Sequence, residues 1–233
     1  MKARRELLIC TVPDLPALSW RNMRNGQLEG LDADMARALA ARLSVRAVFV
    51  EAVPGTVIGM IERGACDVGM GGLGISPSRA TRVAFTKPFL SGPMVAVTQR
   101  ANARVPGWLG MDRDGIVVAV VGGSVAEEVM RQRLRQAELL AVTPPLIPEQ
   151  EIGAGRADVF VTDYADSRRL RGDDSWRVSE APRALGDTLY AYAVPRGDAA
   201  WLAEVNGFLA SVKGNGTLPR TAQRWGLGGM LVN

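Results

Sequence analysis

Twice along this chain a short, nearly unbroken apolar run gives way to a stretch whose apolar residues recur at helical spacing. Leu7–Val12 reads as a buried strand ended by Pro13, Asp14 and Pro16, and Asn25-Gly26 marks a tight turn. Asp32 then opens a helix whose apolar residues are Leu31, Met35, Ala38, Leu39 and Leu43. Val45–Val50 is apolar enough for a parallel strand covered on both faces, a short helix spans Thr56–Arg63, and Cys66–Met70 makes a third strand. The order restarts at Ile116–Val121, followed by a helix from Val125 to Leu134 whose start is specified by a Ser124-x-x-Glu127 capping box. Beyond a Pro-rich connection come a short helix, a strand over Ala157–Thr162 and a helix from Tyr164 to Leu170. Tyr190–Val194 reads as one more strand, Trp201–Val212 as a helix and Gly214–Gly229 as turns. The fold class is therefore α/β, two doubly wound α/β lobes joined near Thr98 and near Tyr192.

Composition narrows the chemistry. The 233 residues are 47% hydrophobic with a net charge of only +4, which excludes a disordered chain, and no apolar run approaches the roughly 20 residues a membrane span needs. There is no His, so Ser-His-Asp and Cys-His nucleophile pairs and His-ligated zinc are excluded. Of the 28 basic residues 25 are Arg, but Arg131, Arg133 and Arg135 alternate with other residues on a helix, so no basic arm for nucleic acid is expected. Cys10 and Cys66 match no zinc spacing; a bridge between them is sterically open, and two buried free thiols are the expected state. The apolar run after the charged first residues is too short for a secretory leader, so a cytosolic chain or a processed mature form is expected.

Ligands of open α/β sheets lie beyond the carboxyl ends of the strands, which isolates a short set of residues. After the third strand come Gly71, Gly72 and Gly74, then Ser76, Ser78 and Arg79. Backbone N–H groups beside an Arg fork make a receptor for a carboxylate, although three glycines serve equally well where a chain only turns sharply. Gly123 and Ser124 repeat that arrangement in the second lobe, and Asp163 comes immediately after its strand at Val159–Thr162. An Asp there suits an ammonium group, or simply the cap of the next helix.

Five segments, in order along the chain, resemble those of type II periplasmic solute-binding proteins of the polar amino-acid group. They are Gly26–Ala36 (GQLEGLDADMA), Gly64–Gly72 (GACDVGMGG), Ile75–Phe89 (ISPSRATRVAFTKPF), Gly155–Asp163 (GRADVFVTD) and Gly214–Leu218 (GNGTL). The resemblance implies a clamshell in which residues 1–97 and 193–233 form lobe one and 98–192 form lobe two, with the ligand in the cleft. It implies that Arg79 clamps an α-carboxylate with backbone donors at Gly72 and Gly74, that Gly123 and Ser124 support the same group, and that Asp163 takes the α-ammonium. Asp32 and Asp34 are structural by the same resemblance. The positions where the family presents aromatic residues are Leu15 and Pro54 here, so a wider, less aromatic pocket is expected, and Gly74 replaces a hydroxyl residue. The implied function is non-catalytic binding of an amino acid or other small carboxylate, as a monomer without cofactor or metal, for delivery to the membrane permease of an ABC importer. The implied location is periplasmic or extracellular. Two alternatives share the scaffold: a cyclohexadienyl dehydratase using Asp166 as its acid on prephenate or arogenate, and the ligand-sensing domain of a membrane receptor.

Overall fold

The structure is a computed structural model that describes residues 4–232. The chain divides into two compact units: one holds the described residues up to Ser91 and from Leu189 on, the other Gly92–Thr188. It passes between them along two strands, Leu90–Gly92 and Thr188–Tyr190, that pair with each other. These crossings fall a few residues before the expected Thr98 and Tyr192. The first shifts because Met94–Gln99, which the sequence left without an element, is a strand of the second unit, paired antiparallel with Val159–Asp163 and with Trp176–Glu180.

The first unit is built on a five-stranded sheet in the order Arg46–Glu51, Glu6–Thr11, Val68–Gly69, Ala193–Pro195, Val83–Phe85. The first three strands are parallel, whereas Ala193–Pro195, arriving with the return segment, runs antiparallel to both its neighbours. The sheet is therefore mixed rather than wholly parallel. Arg46–Glu51 is its edge strand and is only half-buried, not covered on both faces as its apolar run predicts. Part of that cover comes from a charged side chain: the Arg37 guanidinium lies over the Phe49 ring, 5.5 Å from its centroid. The expected strand Tyr190–Val194 is broken in two because Tyr192 exchanges hydrogen bonds with Thr86, whose hydroxyl accepts its N–H and whose N–H donates to its carbonyl. The tail expected as turns holds the helix Thr217–Arg224, whose inward residues Leu218, Thr221 and Ala222 keep helical spacing but include only one large apolar side chain.

The second unit repeats the plan. Its sheet runs Glu138–Val142, Val117–Val121, Val159–Asp163, Met94–Gln99, Trp176–Glu180, with the first three strands parallel. Alternation along the strands divides its core cleanly: Val118, Val120, Val159 and Val161 pack with Met130 on one face, Ala119, Phe160, Val95 and Val97 with Ile152 on the other. Both units also share one fastening. The Asp67 carboxylate accepts the Leu8 N–H at 2.8 Å while the Asp67 N–H donates to the Leu8 carbonyl. Asp158 does the same with Val117, at 2.9 Å. Arg4 pairs with Asp67 and Arg104 with Asp158.

Cys10 and Cys66 are joined by a disulfide, with Cα atoms 5.6 Å apart and both residues buried, so the expectation of free thiols does not hold. Cys10 lies on the strand Glu6–Thr11 and Cys66 in the turn leading into the neighbouring parallel strand Val68–Gly69, and parallel pairing brings that turn beside it. Closing a separation of 56 residues removes about 4 kcal/mol of chain entropy from the unfolded state. The Cys10→Ser/Cys66→Ser double variant should accordingly unfold at a visibly lower denaturant midpoint than the oxidised protein, while reductant should leave the variant's own midpoint unmoved. Equal midpoints for the variant and the oxidised protein would remove the disulfide from the stability account.

Candidate functional site

In the first unit, three parallel strands deliver their carboxyl ends to one edge, and the loops leaving that edge carry most of the sequence candidates. The loop after Val68–Gly69 holds Gly71, Gly72 and Gly74 and runs into the four-residue helix Pro77–Ala80. Ser76 caps that helix, its hydroxyl accepting the Arg79 N–H at 3.3 Å, and Pro77 occupies the first helical position, where its missing N–H costs nothing. Arg79 is buried, and its Nη1 donates to the Gly74 carbonyl at 3.0 Å, so the guanidinium is held against its own loop. Leu15 sits in the small strand Asp14–Leu15 and packs partly buried against the core around Cys10, Val57 and Leu73. Pro54 lies half-buried in the loop after Arg46–Glu51.

The Gly72 amide does something the sequence did not announce. At φ +61 the residue is left-handed, and its N–H donates to the Asp32 carboxylate at 2.8 Å. The expected donor to a ligand is thus occupied from within. Asp32 lies in the first turn of the helix Leu31–Arg42, is fully buried, and also accepts the Tyr192 hydroxyl at 3.1 Å. The signal available in advance was the spacing of Asp32, three residues before Met35 and so on the helix face of the apolar residues Leu31, Met35 and Leu39.

In the second unit, the matching edge carries Gly123, Ser124 and Asp163. Ser124 caps the helix Val125–Arg133 by accepting the Glu127 N–H at 3.1 Å. The reciprocal arm of the predicted capping box lands one residue early, with Glu127 Oε2 accepting the Gly123 N–H at 2.6 Å. Arg131 and that N–H together hold the Glu127 carboxyl below its usual range. This second nest, too, is filled by a carboxylate of the chain itself. Asp163 ends the strand Val159–Asp163 and caps Tyr164–Ser167, its Oδ1 accepting the Asp166 N–H at 2.9 Å. Asp166 has both oxygens engaged as acceptors, from the Thr162 hydroxyl at 3.0 Å and from Arg169 Nε at 3.1 Å.

Residues 7–228 match the model of the bacterial extracellular solute-binding proteins, family 3. The chain belongs to this family. Among relatives of this family 3 protein, cyclohexadienyl dehydratase of Pseudomonas aeruginosa is 26% identical over 94% of the chain and 82% of the relative. The ABC transporter glutamine-binding protein GlnH of Bacillus subtilis is 24% identical over 88% of the chain and 75% of the relative. The crystal structure of the ancestral amino acid-binding protein AncCDT-1, a precursor of cyclohexadienyl dehydratase, superposes with a TM-score of 0.83 at 28% identity, covering 96% of each chain. The fold is that of the type II periplasmic binding proteins.

Within this family 3 protein, the electrostatics of the first unit centre on Asp32. Burial pushes its carboxyl up to about 6, against the opposing pull of the Gly72 N–H and the Tyr192 hydroxyl. An acid raised in the folded state contributes stability that is complete below its unfolded value near 3.8 and is lost as pH rises through about 6. At pH 7.5 the ionised group therefore costs about 3 kcal/mol relative to its neutral form. Asp32→Asn should be more stable than the wild type in denaturant unfolding at pH 7.5, by about 1–3 kcal/mol, and the advantage should vanish by pH 4. A variant less stable than the wild type at pH 7.5 would mean that the buried charge is not a burden to the fold.

Proposed function

We propose that this chain is a non-catalytic receptor that binds a small amino acid and delivers it to an ABC importer outside the cytoplasm. In this reading Arg79 takes the α-carboxylate, aided by the Gly74 backbone and the Ser124 hydroxyl, and Asp163 takes the α-ammonium. The observation that carries it is Arg79: a buried guanidinium at the carboxyl edge of a parallel sheet, held in place by the Gly74 carbonyl. Such a fork matches a carboxylate bidentately. Family membership and the amino-acid-binding relatives support the ligand class. The Cys10–Cys66 disulfide supports a location in an oxidising compartment.

The dehydratase relative favours a second reading, an enzyme using Asp166 as its acid. A general acid has to present its proton to the leaving oxygen. Both Asp166 oxygens instead accept hydrogen bonds, one from a guanidinium, which speaks for the receptor.

Calorimetry against the common L-amino acids should find at least one ligand, and Arg79→Ala should weaken that ligand more than a hundredfold, since an unpartnered buried carboxylate stands about 3–5 kcal/mol uphill. Unchanged affinity in Arg79→Ala would remove Arg79 from the site. Incubation with prephenate should yield no phenylpyruvate absorbance; turnover would replace the receptor reading with the enzyme.

A further inference from the structure

We propose that Asp32 is a positioning residue of the ligand site: a single buried carboxylate holds the Gly72 N–H of the glycine loop and the Tyr192 hydroxyl of the return segment, and so fixes the loop that presents Arg79. This inference rests on the amino-acid reading above and assigns to Asp32 a part beyond the purely structural one expected of it.

The loop has two sets of fastenings. On one side it is stitched to the return segment by backbone hydrogen bonds, the Ile75 N–H donating to the Leu189 carbonyl and the Ala191 N–H to the Leu73 carbonyl. On the other side Asp32 reaches it from the start of the helix Leu31–Arg42 and holds the Gly72 N–H at 2.8 Å. Its second oxygen takes the hydroxyl of Tyr192, itself fully buried, in the same return segment that carries the backbone stitches. Gly74, two residues beyond Gly72, then receives the Arg79 guanidinium. The line of contact therefore runs from Tyr192 through Asp32, Gly72 and Gly74 to Arg79, with each link a hydrogen bond or a step along one short loop.

A carboxylate is an unfavourable choice for a closed interior unless its charge is used, and a neutral side chain would satisfy a single N–H at lower cost. Charged hydrogen bonds are roughly twice as strong as neutral ones, and a fixed loop loses less entropy when it takes a ligand. Gly72, left-handed with the Leu18 and Leu15 side chains where a Cβ would point, has the conformation this bond requires. The arrangement exchanges stability for a loop that is set before the ligand arrives.

The test compares Asp32→Asn, Asp32→Ala and Tyr192→Phe with the wild type at pH 7.5. One readout is amide hydrogen exchange across Gly71–Ile75 in the ligand-free protein; the other is the calorimetric Kd for L-glutamine and L-arginine. Exchange across the loop should accelerate about tenfold or more in Asp32→Ala, with Asn restoring part of the protection, and the Kd should weaken by a similar factor. Tyr192→Phe, which keeps the ring, should weaken the Kd about three- to tenfold. Asp32→Asn should lose affinity while gaining stability, a divergence that a merely structural residue would not produce. Unchanged loop exchange in Asp32→Asn and Tyr192→Phe, or affinity that simply follows stability, would overturn the proposal. Where Asp32→Ala does not fold, the other two variants decide. If the wild type binds neither amino acid, the ligand reading for these probes fails, and loop exchange by itself supports or overturns the fixing role of Asp32.

Discussion

A parallel strand pair brings both carboxyl ends to one edge, and each unit of this protein uses that constraint to gather its candidate ligand groups. The register is fixed at the opposite end of the strands. In each unit an Asp just before the third strand exchanges hydrogen bonds with the first strand, Asp67 with Leu8 and Asp158 with Val117. A slip of one residue would turn every inward Val toward the other face of the sheet. It would also move the glycine loop away from Asp32. The Gly-x-x-Asp spacing preceding each third strand, Gly64 to Asp67 and Gly155 to Asp158, is thus a register device.

Much of this was legible in the sequence because it is written in local patterns. The helix Leu31–Arg42, the central strands and the Ser124 and Ser76 caps follow from spacing and from residues that supply a hydroxyl three positions ahead of an N–H. What escaped notice depends on partners distant in the chain. Met94–Gln99 carries no helical period and only becomes a strand between Val159–Asp163 and Trp176–Glu180. Tyr192 looked like an ordinary strand residue, and nothing local reveals that its hydroxyl meets a carboxylate 160 positions earlier. The candidate site was legible in its backbone and only partly in its charges. Glycines and an Arg after a strand announce an anion nest, yet whether a nest stays open depends on which carboxylates the fold brings to it. Here Asp32 arrives from a different helix, and Glu127 from one turn along its own.

That last distinction bears on what the protein can select. Leu15 and Pro54 stand where the family resemblance placed aromatic rings, and neither offers a flat π-face to a guanidinium or an amide. On the amino-acid reading, discrimination then shifts from the ligand's side chain to its charged ends. In that reading the carboxylate meets Arg79, whose guanidinium is held by Gly74, and the ammonium meets Asp163. A receptor built this way holds the backbone portion of an amino acid firmly and its side chain loosely. Leu15 and Pro54 would contribute pocket volume rather than stacking, and volume separates neighbouring sizes by only about 1–3 kcal/mol for each methylene. On the amino-acid reading, tolerance among side chains with a requirement for both charged ends is what Arg79 and Asp163 would deliver.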